Sequence, residues 1–365
     1  MMVDKINIVH IITHFDLGGA ERIALNICEQ KHDNIQFHLF EVVRGEGKFS
    51  EQFIKEMKQN GIIFHRAPKV SNKIGILLFP FRFQFLVLQI YPRIIHSHTE
   101  VPDLGLYLWS RCFGWVRPKI KIVRTIHNTK LWSDWKKIGH YVERYFKHKH
   151  ANIAISRSVQ DCYNLEYGEK PPIIYNGIGE VEQVAFEGLD TSKKNILFCG
   201  RFEQQKGIGV LVKLVKKLAN RNDLLFHIVG KGSLKEEIDS LRNQSNVRLY
   251  DRIYNIAGKM GSFDYVFMPS EFEGLVLTSI EASFAKAPVI ANRCPGLDET
   301  LPEDWPLFVD DNDVNAYLKI FNGLNDLDRE ALSEKAYLYA KAHFSLKKMQ
   351  QEYLNVYRQK IWQIP

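Results

Sequence analysis

Short apolar runs alternate with amphipathic stretches along most of the chain, and the alternation sets the fold class before any motif is considered. Continuous apolar runs of this length suit strands covered on both faces, and the amphipathic stretches between them suit the helices that cover them, which together predict α/β units with doubly wound parallel sheets. In the first half the runs place strands at Ile6 to Thr13, Gln36 to Val43, Ile62 to His65, Arg93 to Ser97, Lys121 to Ile126, Asn152 to Ile155 and Ile173 to Tyr175. Helical patterns fall at Ala20 to Gln30, Glu51 to Asn60 and Asp134 to Lys149. A polar, acidic stretch from Gly179 to Lys194 reads as a linker, and a second strand series follows it at Ile196 to Cys199, Leu224 to Val229, Val247 to Tyr250, Tyr265 to Met268 and Val289 to Ala291. Asp328 to Gln363 reads as helical with a break near His343 to Ser345. Ile74 to Tyr91 is the most apolar stretch, but Pro80, Arg82, Gln84 and Gln89 interrupt it and it falls short of the roughly 20 residues that span a bilayer, so it reads as an internal segment.

Chemistry concentrates at residues 270 to 285, where Glu273 stands just before an expected helix and Glu281 about two turns into it. A helix N-terminus exposes unpaired N–H groups and the positive end of the helix dipole, which favours an anion such as a diphosphate. A carboxylate on either side can accept two hydrogen bonds from a sugar or ribose diol. Upstream, Arg201 and Lys206 follow a predicted strand within Cys199-Gly200-Arg201-Phe202-Glu203-Gln204-Gln205-Lys206-Gly207, so both cations can reach the C-terminal edge of the same sheet. Gly18 and Gly19 follow the first strand, where a tight turn or a close phosphate or sugar is served by glycine. His127 closes the strand at Lys121 to Ile126, and His98, with His96 a weaker case, closes another; these pairs show no third ligand at a metal-binding spacing. Asp310-Asp311-Asn312-Asp313 precedes a helical pattern and reads as a cap in preference to a metal motif.

The Glu-(seven residues)-Glu-Ala spacing, the Gly-Arg-x-x-x-x-Lys-Gly run, the turn Asp16-Leu17-Gly18-Gly19-Ala20-Glu21-Arg22, Asn176-Gly177 and Pro288-Val289-Ile290-Ala291 occur in an order that resembles the large retaining glycosyltransferase family of the GT-B fold often called family 4. The resemblance covers nearly the whole chain. It implies an N-terminal acceptor-side Rossmann-like domain at 1–185, joined by a C-terminal helix at 346–365 that crosses back, and a C-terminal nucleotide-sugar-binding Rossmann-like domain at 186–345. It further implies transfer of a hexose from a nucleoside diphosphate, UDP above all, to an acceptor hydroxyl, with no metal and no other cofactor. On this reading Glu273, His127, Arg201 and Lys206 are catalytic. Gly18, Gly19, Gly200, Gly274, Leu275, Val276, Leu277 and Glu281 join Arg201, Lys206 and Glu273 in donor binding, and His98 and Asn128 lie on the acceptor side. The sequence departs from the family where Val276 replaces a glycine and where Pro295-Gly296-Leu297-Asp298-Glu299 replaces a Gly-Gly-x-x-Glu element.

Charge adds a partner. Residues 1 to 185 hold 25 Lys+Arg against 18 Asp+Glu, whereas residues 186 to 365 hold 24 of each, so the excess lies in the first domain. Trp109 to His150 alone carries 11 basic and 2 acidic residues among eight Trp, Tyr and Phe side chains. Such a segment suits an anionic membrane surface, where each added cation contributes about 1 kcal/mol and aromatic rings sit at headgroup level. A peripheral place on the inner face of the membrane, and a lipid-linked or saccharide acceptor, follow as expectations. No nucleic-acid motif accompanies the basic segment. Five widely spaced cysteines without a Cys-x-x-Cys pair point to a reducing, cytoplasmic compartment. Neither half has Gly-x-Gly-x-x-Gly after its first strand, which argues against a dehydrogenase. A sugar-nucleotide epimerase of the same fold and a non-catalytic scaffold that binds nucleotide sugar or membrane remain as alternatives.

Overall fold

The computed structural model of the chain describes residues 5–16, 18–30, 32–46, 48–116, 119–133 and 135–362. The chain divides into two compact units, Met1–Gly177 with Leu346–Pro365, and Ile178–Ser345. The division falls earlier than the expected 185/186 because residues past Gly177 already bond to the second unit: the Ile178 amide donates to Phe344 and the Val184 amide to Gly258.

The first unit holds β1 (Ile6–Ile12), β2 (Ile35–Glu41), β3 (Ile63–His65), β4 (Ile94–His98), β5 (Lys121–Ile126) and β6 (Asn152–Ala154), in the sheet order β3-β2-β1-β4-β5-β6. All of the pairings are parallel. Its helices are α1 (Gly19–Cys28), α2 (Lys48–Gln59), α3 (Asn72–Ile90), α4 (Glu100–Phe113), α5 (Lys136–His148) and α6 (Arg157–Tyr167). The second unit repeats the pattern with β7 (Lys194–Cys199), β8 (Leu224–Val229), β9 (Val247–Tyr250), β10 (Tyr265–Met268), β11 (Val289–Asn292) and β12 (Phe308–Val309), in the parallel order β12-β11-β10-β7-β8-β9. Its helices are α7 (Ile208–Lys217), α8 (Lys235–Asp239), α9 (Leu277–Phe284), α10 (Val314–Asn322) and α11 (Arg329–Phe344). After a break at Ser345, α12 (Leu346–Trp362) belongs to the first unit and packs on α1, where Gln350 donates to the Asn26 carbonyl at 2.7 Å.

Both sheets reverse strand order beside their first strand, so the C-terminal ends of β1 and β4, and of β7 and β10, open onto a topological switch point of the kind that binds ligands. Ile173 to Tyr175 forms no strand; only Ile173 bridges Ala154, because Pro171 and Pro172 ahead of it lack ladder N–H donors. Two-residue β12 was too short to show as a pattern. Asp134, the expected start of the fifth helix, lies outside the described residues, as do residues 363–365 of the expected C-terminal helix.

Residues 72 to 90 correct the expectation of an internal segment. They form a helix whose Gly75, Phe79, Phe83, Leu86 and Val87 are buried, while Ile74, Leu77, Leu78, Phe81, Phe85 and Leu88 face solvent. Because the helix is apolar all round, its sequence carries no sign of which side is covered.

Candidate functional site

In the second unit, Lys206 and Glu273 come together at the C-terminal edge of the sheet. Lys206 ends a short 3-10 turn after β7 and donates through Nζ to Glu273 Oε1 at 2.5 Å. Its alkyl stem lies over Gly200, where an added Cβ would stand 3.7 Å from Cδ. Gly207 stops the turn at φ +69 and approaches so closely that a Cβ there would sit 1.8 Å from the Pro269 carbonyl oxygen. This glycine therefore serves both a left-handed backbone and a close passage between β7 and the loop after β10.

Glu273 is buried and held from two directions. Its amide donates to the Pro295 carbonyl at 3.0 Å, and the Val276 amide donates to the Gly296 carbonyl at 3.2 Å. Gly296 adopts φ +78, and a Cβ would meet the Glu273 carbonyl oxygen at 2.3 Å. Pro295-Gly296 thus replaces the family's glycine pair while keeping the one glycine this contact requires. Val276 caps α9, is buried, and spends its N–H on Gly296, so it offers no amide to a ligand; Leu277 and Thr278 open the helix and supply the N–H groups without intrahelical partners. Gly274 and Leu275 are half-buried between them.

Glu281 sits one turn into α9, nearer its start than expected, since the helix begins only at Leu277. Burial raises its carboxyl to about 7. Burial, and then the nearby Glu281 charge, push the Cys199 thiol up to about 11 against the pull of Lys206, which ties the end of β7, Lys206 and Glu281 to one neighbourhood. Arg201 is exposed at the end of β7, and the carboxylate it acts on is Glu203, whose pKa is lowered mainly by bonds from Ser233 and only secondarily by Arg201. The structure therefore joins Lys206, Glu273 and Glu281 and leaves Arg201 turned to solvent. Gln205 was missed. Its Nε2 donates to the Phe272 carbonyl at 3.0 Å and to Glu273 Oε2 at 3.3 Å, so it steadies the second carboxylate oxygen; adjacency to Lys206 was its only sequence signal. Asp313 caps α10 through the Asn315 amide at 2.8 Å, as the capping reading had it.

The first unit gathers histidines at the C-terminal end of its sheet. His127 follows β5 and its Nε2 lies 3.2 Å from His98 Nδ1. His98 is buried behind it. His10, from β1, adds the partner that spacing could not show, with Nδ1 3.1 Å from His98 Nε2. The chain of contacts continues from His10 Nε2 to the Tyr357 hydroxyl at 3.2 Å, to His96 Nδ1 at 2.7 Å, from His96 Nε2 to Thr125 at 2.8 Å and to the Tyr353 hydroxyl at 2.8 Å. Burial lowers His10 to about 3, and burial with Arg124 beyond it lowers His127 to about 3, while His96 and His98 fall well below their ordinary value, first through burial and then through the neighbouring histidines, His10 and His127 in both cases and His96 as well for His98.

All four rings are consequently neutral, each with one N–H and one lone pair, and the chain must run in one direction. If Tyr353 donates to Thr125 and each group passes the direction on, every link is made and His98 Nδ1–H donates to His127 Nε2. Reversed, the fully buried Tyr353 hydroxyl has no acceptor among the described residues, a loss of about 1–3 kcal/mol. The first direction leaves His127 with its proton on Nδ1, a donor toward any ligand.

His10, His96 and His98 have ring nitrogens within 4.8 Å of one another, close enough to hold a metal ion, and tertiary structure thereby supplies the third ligand that was not expected. Every one of those nitrogens is committed to the chain, which fits a hydrogen-bond relay better than a metal site.

Gly18 and Gly19 lie in the first unit at the start of α1, where a Cβ on Gly18 would strike the Glu21 carboxylate at 2.1 Å. Asn128 is exposed beside Glu100, with Nδ2 3.4 Å from Oε2. Thr99, after His98, is held at φ +70, costly for a β-branched residue, and its hydroxyl meets that of Thr13 at 2.9 Å.

The basic segment proves divided. Arg124 is buried and bonds to Asp103 at 2.7 Å and to both oxygens of Glu143 at 2.6 and 2.7 Å, so it contributes nothing to a surface field. Trp109, Trp132 and Phe146 are also buried, whereas Trp115, Trp135 and Tyr141 are exposed together with Arg111, Lys119, Lys121, Lys130, Lys136, Lys137, Arg144, Lys147 and Lys149.

Comparison with known proteins bears on both units. A family model described as Glycosyltransferase Family 4 matches residues 17–180, and one described as Glycosyl transferases group 1 matches residues 193–324. An uncharacterised glycosyltransferase of Methanocaldococcus jannaschii is 24% identical over 331 residues, covering 87% of this chain and 84% of its own length. The capsular polysaccharide biosynthesis glycosyltransferase CapH of Staphylococcus aureus is 21% identical, with 79% and 81% covered. Among solved structures, a glycosyltransferase of Rickettsia africae superposes with a TM-score of 0.78 at 20% identity over 99% of this chain and 100% of that one. HepE of Anabaena, solved with UDP and glucose, gives 0.76 at 17% identity, with 97% and 100% covered. Two six-stranded parallel sheets with flanking helices, matched unit by unit in these ways, place the chain among the glycosyltransferases of the GT-B fold.

Proposed function

We propose that the enzyme transfers a hexose-type sugar from UDP to an acceptor hydroxyl with retention of configuration, and that the acceptor is a lipid-linked or polysaccharide precursor. The observation that carries this reading is the Lys206–Glu273 pair beside the open end of α9. Leu277 and Thr278 amides with Lys206 would receive the diphosphate, Glu281 the ribose hydroxyls and Glu273 the sugar hydroxyls. Arg201 swings in from solvent to complete the cationic clamp. Cations and amides then neutralise the charge that grows on departing UDP, a task that a divalent ion performs in other transferases, so no resident metal is required. The incoming hydroxyl attacks from the face the phosphate leaves, and that phosphate takes its proton; Glu273 orients the sugar and forms no covalent bond.

His127 donates from Nδ1 to an acceptor hydroxyl, with Asn128 next to it in the chain. Support for the donor comes from the UDP and glucose named with HepE, and for the acceptor class from the capsular polysaccharide role named for CapH. A cytoplasmic enzyme resting on an anionic membrane surface through residues 109–150 completes the proposal. The test is incubation with UDP-sugars and an acceptor panel, following UDP release and product configuration by NMR. Isomerised sugar from donor alone would identify an epimerase, and absence of turnover across the panel a binding scaffold.

A further inference from the structure

Helices α3, α4 and α5 lie side by side in the first unit. Gly105 of α4 leaves room for Phe79 of α3, and Tyr107 of α4 meets Tyr145 of α5 edge to face at 5.7 Å. The outer surface of this layer is unlike that of an ordinary helix layer. On α3, Ile74, Leu77, Leu78, Phe81, Phe85 and Leu88 recur at helical spacing and form one exposed stripe, with Leu77, Phe81 and Phe85 at 68%, 63% and 73% exposure. Phe81 touches Phe113 at the end of α4 edge to face, and Trp115, just beyond, is 78% exposed. On α5, Trp135, Ile138 and Tyr141 are exposed among Lys136, Lys137, Arg144 and Lys147. Contiguous apolar surface of this kind marks an interaction site.

We propose that the α3 stripe is the inserting face of a membrane-docking surface whose electrostatic part is α5, and that its occupant is an anionic phospholipid bilayer. The inference deepens the membrane reading of residues 109–150 and rests on it. Charge selects the occupant: between Glu56 and Glu100 the sequence has no acidic residue, and Lys69 just before α3 and Lys73 in its first turn are exposed, whereas Arg66 and Arg82 bond inward to Glu41 and to backbone carbonyls. A second copy docking by the same face would bring these lysines and the cations of α5 against their own kind, whereas anionic headgroups match them and leave the Phe and Leu side chains at acyl depth. By length and composition α3 could cross a membrane. Its buried stripe, and its connection at both ends to β3 and β4 of one parallel sheet, hold it flat on that sheet. The stripe therefore lies in the interface and does not span it.

The experiment is flotation of the full chain with vesicles of mixed phosphatidylglycerol and phosphatidylcholine, without any sugar donor, so that failure here is separable from failure of the transferase reading. Wild-type protein is expected to float at low salt and the Phe81→Asp/Phe85→Asp variant to bind at least about tenfold more weakly, with unchanged melting. Lys136→Glu/Lys137→Glu should weaken binding to the anionic vesicles most at low salt. Should the double Asp variant misfold, quenching of wild-type tryptophan fluorescence by brominated lipid, reduced in Trp115→Phe, reads the same contact. Equal flotation of wild type and a folded Phe81→Asp/Phe85→Asp variant overturns the proposal. So does a wild-type chain that ignores vesicles and self-associates through Phe81 and Phe85.

Discussion

Lys206 Nζ and Glu273 Oε1 stand 2.5 Å apart although 67 positions separate them in the chain. The lysine comes from the turn after β7 and the glutamate from the loop before α9, and Gln205 holds the other carboxylate oxygen. An ion pair so placed holds the carboxylate aimed before any donor arrives.

Removing either partner should therefore cost the same function. Glu273→Ala and Lys206→Ala are each expected to lower transfer about a hundredfold or more while the fold persists. The double variant should lose much less than the product of the two losses, since both act on one geometry. Initial rates with saturating UDP-sugar, alongside circular dichroism, measure this; full activity in Glu273→Ala would refute the assignment.

On the proposed reading, Glu281 should make nucleotide binding depend on pH. Its carboxyl is raised by burial to about 7, from an ordinary 4.5. A ribose diol donating to both oxygens favours the carboxylate, so binding expels a proton and affinity should climb by up to about tenfold per unit between about pH 5 and 7, then level off. Unliganded stability has the opposite sign: the folded carboxyl holds its proton more tightly, a contribution fully present below pH 4.5 and lost as pH rises through about 7. Titration calorimetry in buffers of different ionisation heat counts the proton, and Glu281→Gln should bind weakly with a flat profile. A pH dependence preserved in Glu281→Gln would place the titrating group elsewhere.

The relay to His127 is testable at its middle. Tyr357→Phe deletes the hydroxyl that links His96 to His10 and should release the constraint on direction. Nitrogen-15 NMR of ring-labelled protein is expected to show His127 protonated at Nδ1 in the wild type and a mixture of tautomers in the variant. Turnover should fall several-fold with the KM for the donor unchanged; a purely packing role would leave the tautomer as it was.

Gly207 and Gly296 hold the loops around Lys206 and Glu273 by their lack of a side chain. Alanine at either position adopts a left-handed backbone and meets a carbonyl oxygen, of Pro269 or of Glu273. Each substitution should destabilise the second unit by about 2 kcal/mol or more and weaken UDP binding in parallel, as thermal melting with and without UDP would show. Gly209, with open space around its Cβ position, is the control and should tolerate alanine.

The apolar runs alone placed β1 to β11 to within two residues, because a strand covered on both faces is built mainly of apolar side chains, as Tyr265–Met268 is throughout. The motif spacing likewise marked Lys206, Glu273 and Glu281, since a turn and a helix start fix local geometry within a few residues. What no spacing could carry was convergence from distant segments. His10 and Tyr357 stand 347 positions apart and meet only because α12 returns to the first unit, Gly296 finds Glu273 only across the sheet edge, and Arg124 leaves the basic surface only because Asp103 and Glu143 bury it. The outward stripe of α3 was likewise decided by packing: a helix apolar on every side has no pattern to say which side the sheet will cover, and the side left over became visible only in three dimensions.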